Sequence, residues 1–308
     1  MEKRELQFLS ADGKTTVFAD VFVPEGPARG ILQIAHGMCE YFGRYEAFSR
    51  FMAEAGYIVA GHDHIGHGRS VAGPDDYGFF GAKGGADFLL ADTHQLTLML
   101  KEEYPGLPVF LLGHSMGSAV ARCTAGKWPA DYAGGIFSGT PVQAMAGISG
   151  AFIRFLKLVK GPRAKSKLLF DMSIGAYRKA FAGEGSTAAW LTRRADICAA
   201  YEADPLCSFT FTTAAYADLV SLVGRAQSKG WAKAMPKGFP VMVASGANDA
   251  CGGFGKGVAK VYDAMLQAGM TDTALFLYPD ARHEILNETI ADEVFGDILG
   301  WCNDHLPG

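Results

Sequence analysis

Apolar positions fall along this chain in short compact runs, each closed by glycine or proline and most followed by helical spacing. Thr16 to Val23 alternates in the manner of an edge strand, and Pro24-Glu25-Gly26-Pro27 ends it. Ile31-Leu32-Gln33-Ile34-Ala35 is a nearly unbroken apolar run that stops at His36-Gly37. From Tyr45 to Gly56, Phe48, Phe51, Met52 and Ala55 recur at helical spacing, with Gly56 as the stop. Tyr57-Ile58-Val59-Ala60 predicts another strand, followed by the glycine- and histidine-rich loop from Gly61 to Ser70. A long helical pattern from Ala86 to Glu103 leads to a strand at Val109–Leu112, a helix after Ser115 and a strand at Gly135-Ile136-Phe137.

Regular alternation then stops at Gly139-Thr140-Pro141 and resumes only at Pro240-Val241-Met242-Val243-Ala244. It continues with a helix from Lys256 to Ala268, a strand at Ala274–Tyr278 and a last helix from Glu288 to Asp304. Strands that alternate with helices predict an α/β architecture, a mostly parallel, doubly wound sheet covered on both faces. The segment 142–224 breaks this rhythm, and Phe152, Phe155, Leu156 and Val159 share one helical face within it. It reads as a mostly helical cap inserted between two parts of one core, 1–141 and 225–308, at the carboxyl edge of the sheet.

The 308 residues carry a net charge of −4, which gives no reason to expect nucleic acid as a partner. No stretch approaches the roughly 18 apolar residues of a membrane span, and no apolar h-region follows Met1-Glu2-Lys3-Arg4-Glu5. The six cysteines are scattered, without C-x-x-C pairs, and read as reduced thiols of a cytoplasmic protein.

Candidate chemistry centres on Gly113-His114-Ser115-Met116-Gly117, a G-x-S-x-G pentapeptide between a strand and a helix. A tight strand-to-helix turn lifts its serine clear of the sheet and aims the first helix amides at the group it attacks. Such a nucleophile needs a histidine base and a carboxylate that fixes the tautomer. Asp249 follows the strand 241–244 and His283 follows the strand 274–278, so both leave the edge where Ser115 sits. Asp280 competes with Asp249 for the acid role. The backbone amides of Met116 and of Met38, in the His36-Gly37-Met38 loop, are the expected oxyanion donors. Gly61-His62-Asp63-His64-Ile65-Gly66-His67-Gly68 offers H-x-H spacing, which zinc sites use. Its glycines favour the other reading, a tight loop whose Asp63 and histidines hydrogen-bond backbone groups, and no metal or other cofactor is expected.

With these motifs in view, the chain resembles the α/β-hydrolase superfamily, and within it the monoacylglycerol lipase and lysophospholipase branch, akin to the S33 serine aminopeptidases. The matching pieces run from His36-Gly37-Met38-Cys39-Glu40 and Gly43-Arg44-Tyr45 through Asp63–Ser70 and Gly113–Gly117 to Gly246–Asp249 and Ala281-Arg282-His283-Glu284. The resemblance implies Ser115, Asp249 and His283 as the catalytic triad and a cap over a greasy acyl channel. It also implies Glu40 and Arg44 in a polar pocket for a glycerol head group. Leu286 stands where that pocket has a third polar residue, and Cys39 where the oxyanion loop usually has glycine. Met145, Phe152, Phe155, Leu156 and Met172 could line an acyl site or form the cap's own core, and for any single one of them the core is the favoured reading. The expected function is carboxylic-ester hydrolysis of a monoacylglycerol, lysophospholipid or similar small lipid ester, with transient contact between the cap and a membrane surface. Alternatives are a short-chain carboxylesterase, an aminopeptidase or amidase on the same fold, and a binding protein without turnover.

Overall fold

The computed structural model describes residues 1–141 and 150–307. Among them, eight strands form one sheet: β1 (Glu2–Leu9), β2 (Thr16–Val23), β3 (Gly30–Ala35), β4 (Tyr57–His62), β5 (Val109–His114), β6 (Gly134–Ser138), β7 (Val241–Gly246) and β8 (Thr273–Tyr278). Their order is β1-β2-β4-β3-β5-β6-β7-β8. β2 runs antiparallel to both β1 and β4, and every later pairing is parallel. Thr16–Val23 is therefore not the edge. β1 lies outside it, and its sequence EKRELQFL keeps only Phe8 buried, which leaves no apolar run to read. β3, β4, β5 and β7 are buried at every position, the environment that selects continuous apolar runs.

Helices cover both faces. α1 (Glu46–Glu54) and α11 (Ala291–Asp304) lie on one, where Phe48 and Phe51 meet Phe295 at ring distances of 4.9 and 5.4 Å. α2 (Gly85–Glu103), α3 (Met116–Lys127) and α10 (Lys256–Gln267) lie on the other, with Leu96, Leu100, Ala121, Ala125 and Val261 in its core. Between β6 and β7 come α4 (Gly150–Lys160), α5 (Lys167–Met172), α6 (Ile174–Ala180), α7 (Ala195–Ala203), α8 (Thr213–Ala226) and α9 (Lys229–Ala234). α8 packs against α2, α3 and α4, and a third apolar cluster joins it to Ala119, Val120 and Leu89. This helical layer sits over the start of α3, beside the carboxyl ends of β5, β7 and β8.

Candidate active site

Ser115 links β5 directly to α3 and holds φ 54°, ψ −119°, backbone angles that cost a side-chain-bearing residue of order 1–3 kcal/mol. The surroundings enforce them. A Cβ on Gly113 would overlap the Gly117 carbonyl, and one on Gly117 would overlap the Ala35 carbonyl, so both flanks admit only glycine. The Ser115 amide donates to the Ser138 carbonyl at 2.9 Å, which ties the turn to β6.

His283 Nε2 lies 2.9 Å from Ser115 Oγ, and His283 Nδ1 lies 3.0 Å from Asp249 Oδ2. An Nδ1–H that donates to the carboxylate leaves Nε2 free to accept the serine proton. Asp249 is itself held, by the Cys251 amide at 2.8 Å and the Ser245 hydroxyl at 3.3 Å. Burial alone would lower the His283 pKa, but the Asp249 carboxylate outweighs it and holds the imidazole above its ordinary value. Burial likewise works against the Asp249 charge, and His283 with the Cys251 and Gly252 amides keeps that carboxyl below the usual range. Asp280 is exposed on the preceding turn at φ 58°, outside this hydrogen-bonded chain.

The loop that carries His283 is clamped by the helical layer. Arg282 donates to the Ala189 carbonyl and to Glu184, each at 2.6 Å. The Glu284 amide donates to Leu191 O at 2.7 Å, and Arg193 Nε donates to Glu288 at 3.0 Å. The Trp190 ring lies 5.0 Å from the imidazole and His114 lies 4.7 Å from it.

Met38 and Met116 line the same cavity as Ser115 and His283. As the first residue of α3, Met116 has no intrahelical acceptor for its amide. The Met38 loop is fixed from behind. His36 Nδ1–H donates to Gly37 O at 2.8 Å, and His36 Nε2 accepts the His64 amide at 2.9 Å. Cys39, at φ 57°, takes the left-handed conformation that suits glycine. Its thiol donates to Phe209 O at 2.9 Å, and its carbonyl accepts the Tyr201 hydroxyl at 3.2 Å and the Ser208 amide at 3.3 Å.

Behind the loop is a buried ion cluster. Arg44 makes a two-pronged pair with Glu284 at 2.6 and 2.7 Å and reaches Glu40 at 2.8 Å. Glu40 also accepts the Gly37 amide at 2.5 Å and the Tyr45 hydroxyl at 2.8 Å. Burial pushes the Glu40 carboxyl up, and Glu284 beside it adds to the rise. Burial works the same way on Glu284, but Arg44 overrides it and holds that carboxyl near 2.

A family model described as serine aminopeptidase, S33, matches residues 26–290, most of the chain. The chain belongs to the S33 serine aminopeptidase family. It is 27% identical to a monoacylglycerol lipase of Mycolicibacterium smegmatis, over 99% of this chain and 98% of that one. It is 29% identical to a monoglyceride lipase of Homo sapiens, over 96% and 89%. Among solved structures, a thermostable carboxyl esterase from Bacillus coagulans, in complex with glycerol, superposes with a TM-score of 0.93, 30% identity and full coverage of both chains. The fold is thus that of the α/β-hydrolases, and the relatives place it on the monoacylglycerol lipase branch.

The hydrolase brings together Ser115, Asp249, His283, Met38, Met116 and Glu40, all but Asp249 lining one cavity. Arg44 is not among the lining residues. It is buried behind Glu40, with its ring-facing side 4.8 Å from Tyr201, so its contact is with the two carboxylates. Sequence spacing could pair Arg44 with Glu40 one turn away, but not with Glu284, which lies 240 positions further on. Leu286 packs into the apolar core, while its neighbour Asn287 donates to Glu284 at 3.0 Å.

Of the two readings for the apolar cap residues, the acyl lining is not the one the cavity shows. Phe155 is 58% exposed, and none of Phe152, Phe155, Leu156 and Met172 lines the cavity; Met145 lies outside the described residues. The lining instead comes from Ile174, Tyr177, Trp190, Leu191 and Leu219, because α4 turns only Ile153 fully inward. Asp63 accepts the Phe42 and Arg69 amides at 3.0 and 2.9 Å, the backbone-bonding alternative read from its loop.

Proposed function

We propose that Ser115, His283 and Asp249 form the triad of a serine hydrolase whose substrate is a monoacylglycerol or a similar small lipid ester. The observation that carries this reading is the unbroken Ser115–His283–Asp249 hydrogen-bond chain on a strained strand-to-helix turn. The hydrolase is an ester hydrolase, like its relatives on the same branch. His283 takes the proton of Ser115 as Oγ attacks the ester carbonyl, and the resulting oxyanion is held by the Met38 and Met116 amides. Collapse expels the alcohol, which receives that proton from His283 and leaves an acyl-enzyme. His283 then deprotonates a water that attacks the acyl carbonyl, and the acid departs as Ser115 regains its proton. No cofactor enters these steps.

Glu40 faces the cavity and can accept a hydroxyl of the leaving alcohol, with Arg44 as its positioning residue. Residues 142–224 act as the cap over this site, between core parts 1–141 and 225–308. The cavity holds only about 50 Å³, room for a few waters at about 10–15 Å³ each, so an acyl chain enters by displacement of Ile174, Tyr177 and their neighbours. The six free cysteines suit a reducing compartment, the cytoplasm.

The cap meets its substrate at a lipid surface. Phe155, Leu158 and Val159 on α4 are 58, 83 and 64% exposed. Six cations and no acid lie between Arg154 and Lys167, which suits anionic head groups. Among the described residues, no helix is long and apolar enough to cross a membrane.

Glu40 and Glu284, two carboxylates against one guanidinium, support a second reading, an aminopeptidase that binds a free amine. A fluorophosphonate probe followed by ester and peptide anilide assays separates the readings. Ser115-dependent labelling with hydrolysis of monoacylglycerols is expected. Turnover of anilides with free amino ends, and not of esters, would establish the peptidase.

A further inference from the structure

Arg122 takes no part in the site above. It lies on α3, about two turns beyond Ser115, and is only 3% exposed. One Nη2 donates to the Ala226 carbonyl, and the guanidinium lies 4.8 Å over the Trp231 ring. Its Nε has no hydrogen-bond partner among the described residues, and no carboxylate is close enough to act on its charge. Burial lowers its pKa to about 10, so it remains a cation at neutral pH. A buried cation is normally paired, because an isolated one forfeits its hydration without return.

This residue lines a cavity of about 260 Å³ between α3, α9 and α10. Lys233 adds a second cation to the lining, Trp231, Val261 and Met265 supply an apolar wall, and among the described residues no Asp or Glu lines it. The wall is pre-set: Trp231 Nε1–H donates to the Arg122 carbonyl at 2.5 Å, and the indole occupies space that only a glycine at 126 leaves open. Gln227, at the same cavity, donates to Pro141 O at 2.8 Å, and Pro141 lines the catalytic cavity.

We propose that this cavity binds an organic carboxylate with an apolar body, the carboxylate on Arg122 and the body against Trp231, Val261 and Met265. A guanidinium with no carboxylate beside it attracts an anion to this cavity, and the greasy wall disfavours a bare inorganic one. The site stands on Arg122 and its cavity alone. That a released fatty acid is a natural occupant rests on the ester-hydrolase reading. Occupancy then reaches the catalytic cavity through Gln227 and Pro141, at the point where α8 returns to the core.

The test titrates sodium decanoate, below its micelle concentration, into protein whose Ser115 carries a fluorophosphonate adduct, followed by calorimetry. Decanol and inorganic phosphate serve as controls. Saturable one-site binding of decanoate is expected, weakened at least about tenfold by Arg122→Met and by Ala264→Phe, which narrows the exposed mouth. Decanol and phosphate are expected to show none. Removal of an uncompensated charge also predicts a higher ligand-free Tm for Arg122→Met. Equal decanoate binding by both variants, binding of phosphate in place of decanoate, or no saturable binding would each overturn the proposal. Failure of the adduct to form counts against the ester-hydrolase reading instead, and the same titration on Ser115→Ala then decides the Arg122 site.

Discussion

Ser115 and Cys39 both hold backbone angles ordinarily left to glycine, for different reasons. At Ser115 the angles point a hydroxyl at His283, whereas at Cys39 they turn the thiol and carbonyl toward residues 201–209. Cys39→Ala keeps the strained conformation and loses the thiol bond, so it should cost about 1 kcal/mol, while Cys39→Gly relieves the strain and should be the more stable of the two. Thermal unfolding of the two variants checks this order. Asp249→Asn should cost roughly 10⁴-fold in kcat with Tm nearly unchanged, through the wrong imidazole tautomer, and Asp280→Asn should cost almost nothing. An equal loss in both variants would remove Asp249 from its role. Because Asp249 raises the His283 pKa, His283 stays protonated to a higher pH than an ordinary imidazole. The kcat/KM profile should therefore fall on the acidic side of a midpoint above 6.5, the ordinary histidine value. The meeting of Ser115, Asp249 and His283 was legible because loops leaving one edge of a parallel sheet converge whatever their separation in sequence. The fate of Arg44 was not, since its two-pronged partner arrives from the far end of the chain.

Among the elements, β3, β4, β5 and β7 announced themselves through apolar runs, since both their faces are covered. β1 escaped notice because an edge strand with one buried side chain carries no such run. α4 presents the opposite case. Its apolar face left an acyl lining and the cap's own core both open, since periodicity says only that a helix has a greasy side, not which neighbour covers it. That face is exposed at Phe155 and Val159, and Leu158 beside it is exposed as well. The double variant Phe155→Ser/Leu158→Ser should lose most vesicle binding in a flotation assay while it keeps turnover of a water-soluble ester. Lys157→Glu/Lys160→Glu should abolish any preference for anionic over zwitterionic vesicles, each cation contributing about 1 kcal/mol near such a surface. Unchanged flotation in both variants would remove α4 from the surface contact.

For the molecule as a whole, five buried histidines set the response to acid. Burial holds His62, His67 and His114 near 3, and His36 and His64 well below their ordinary value. Unfolding exposes all five, and each then takes up a proton below about 6.5, so the stability they provide is full above that pH and is lost as pH falls. Asp92 and Asp218, raised by burial from 3.8 to about 6, and Glu40 and Asp63, raised in the same direction, act in the opposite sense, but the rings held near 3 are displaced further from their ordinary 6.5. His283, whose pKa is raised, also opposes, since its contribution is full at low pH and fades as pH rises through its folded value. At pH 5 that contribution is full, but it comes from one ring against the five that burial holds far below their ordinary value. Urea unfolding should accordingly give a lower stability at pH 5 than at pH 7. Equal values would mean that these rings accept protons without loss of the fold.

The clamp on the His283 loop bears on how such enzymes diversify. Arg282, Glu284 and Glu288 are bonded to residues 184–193, so the back of the cap and the loop of the base are built as one piece. The front, α4 to α6, shares none of these bonds, and substrate passage is left to it. A chimera that trades caps between relatives will misplace its own imidazole unless residues 281–288 travel with the graft, whereas an exchange confined to α4–α6 can alter substrate choice and leave the chemistry intact.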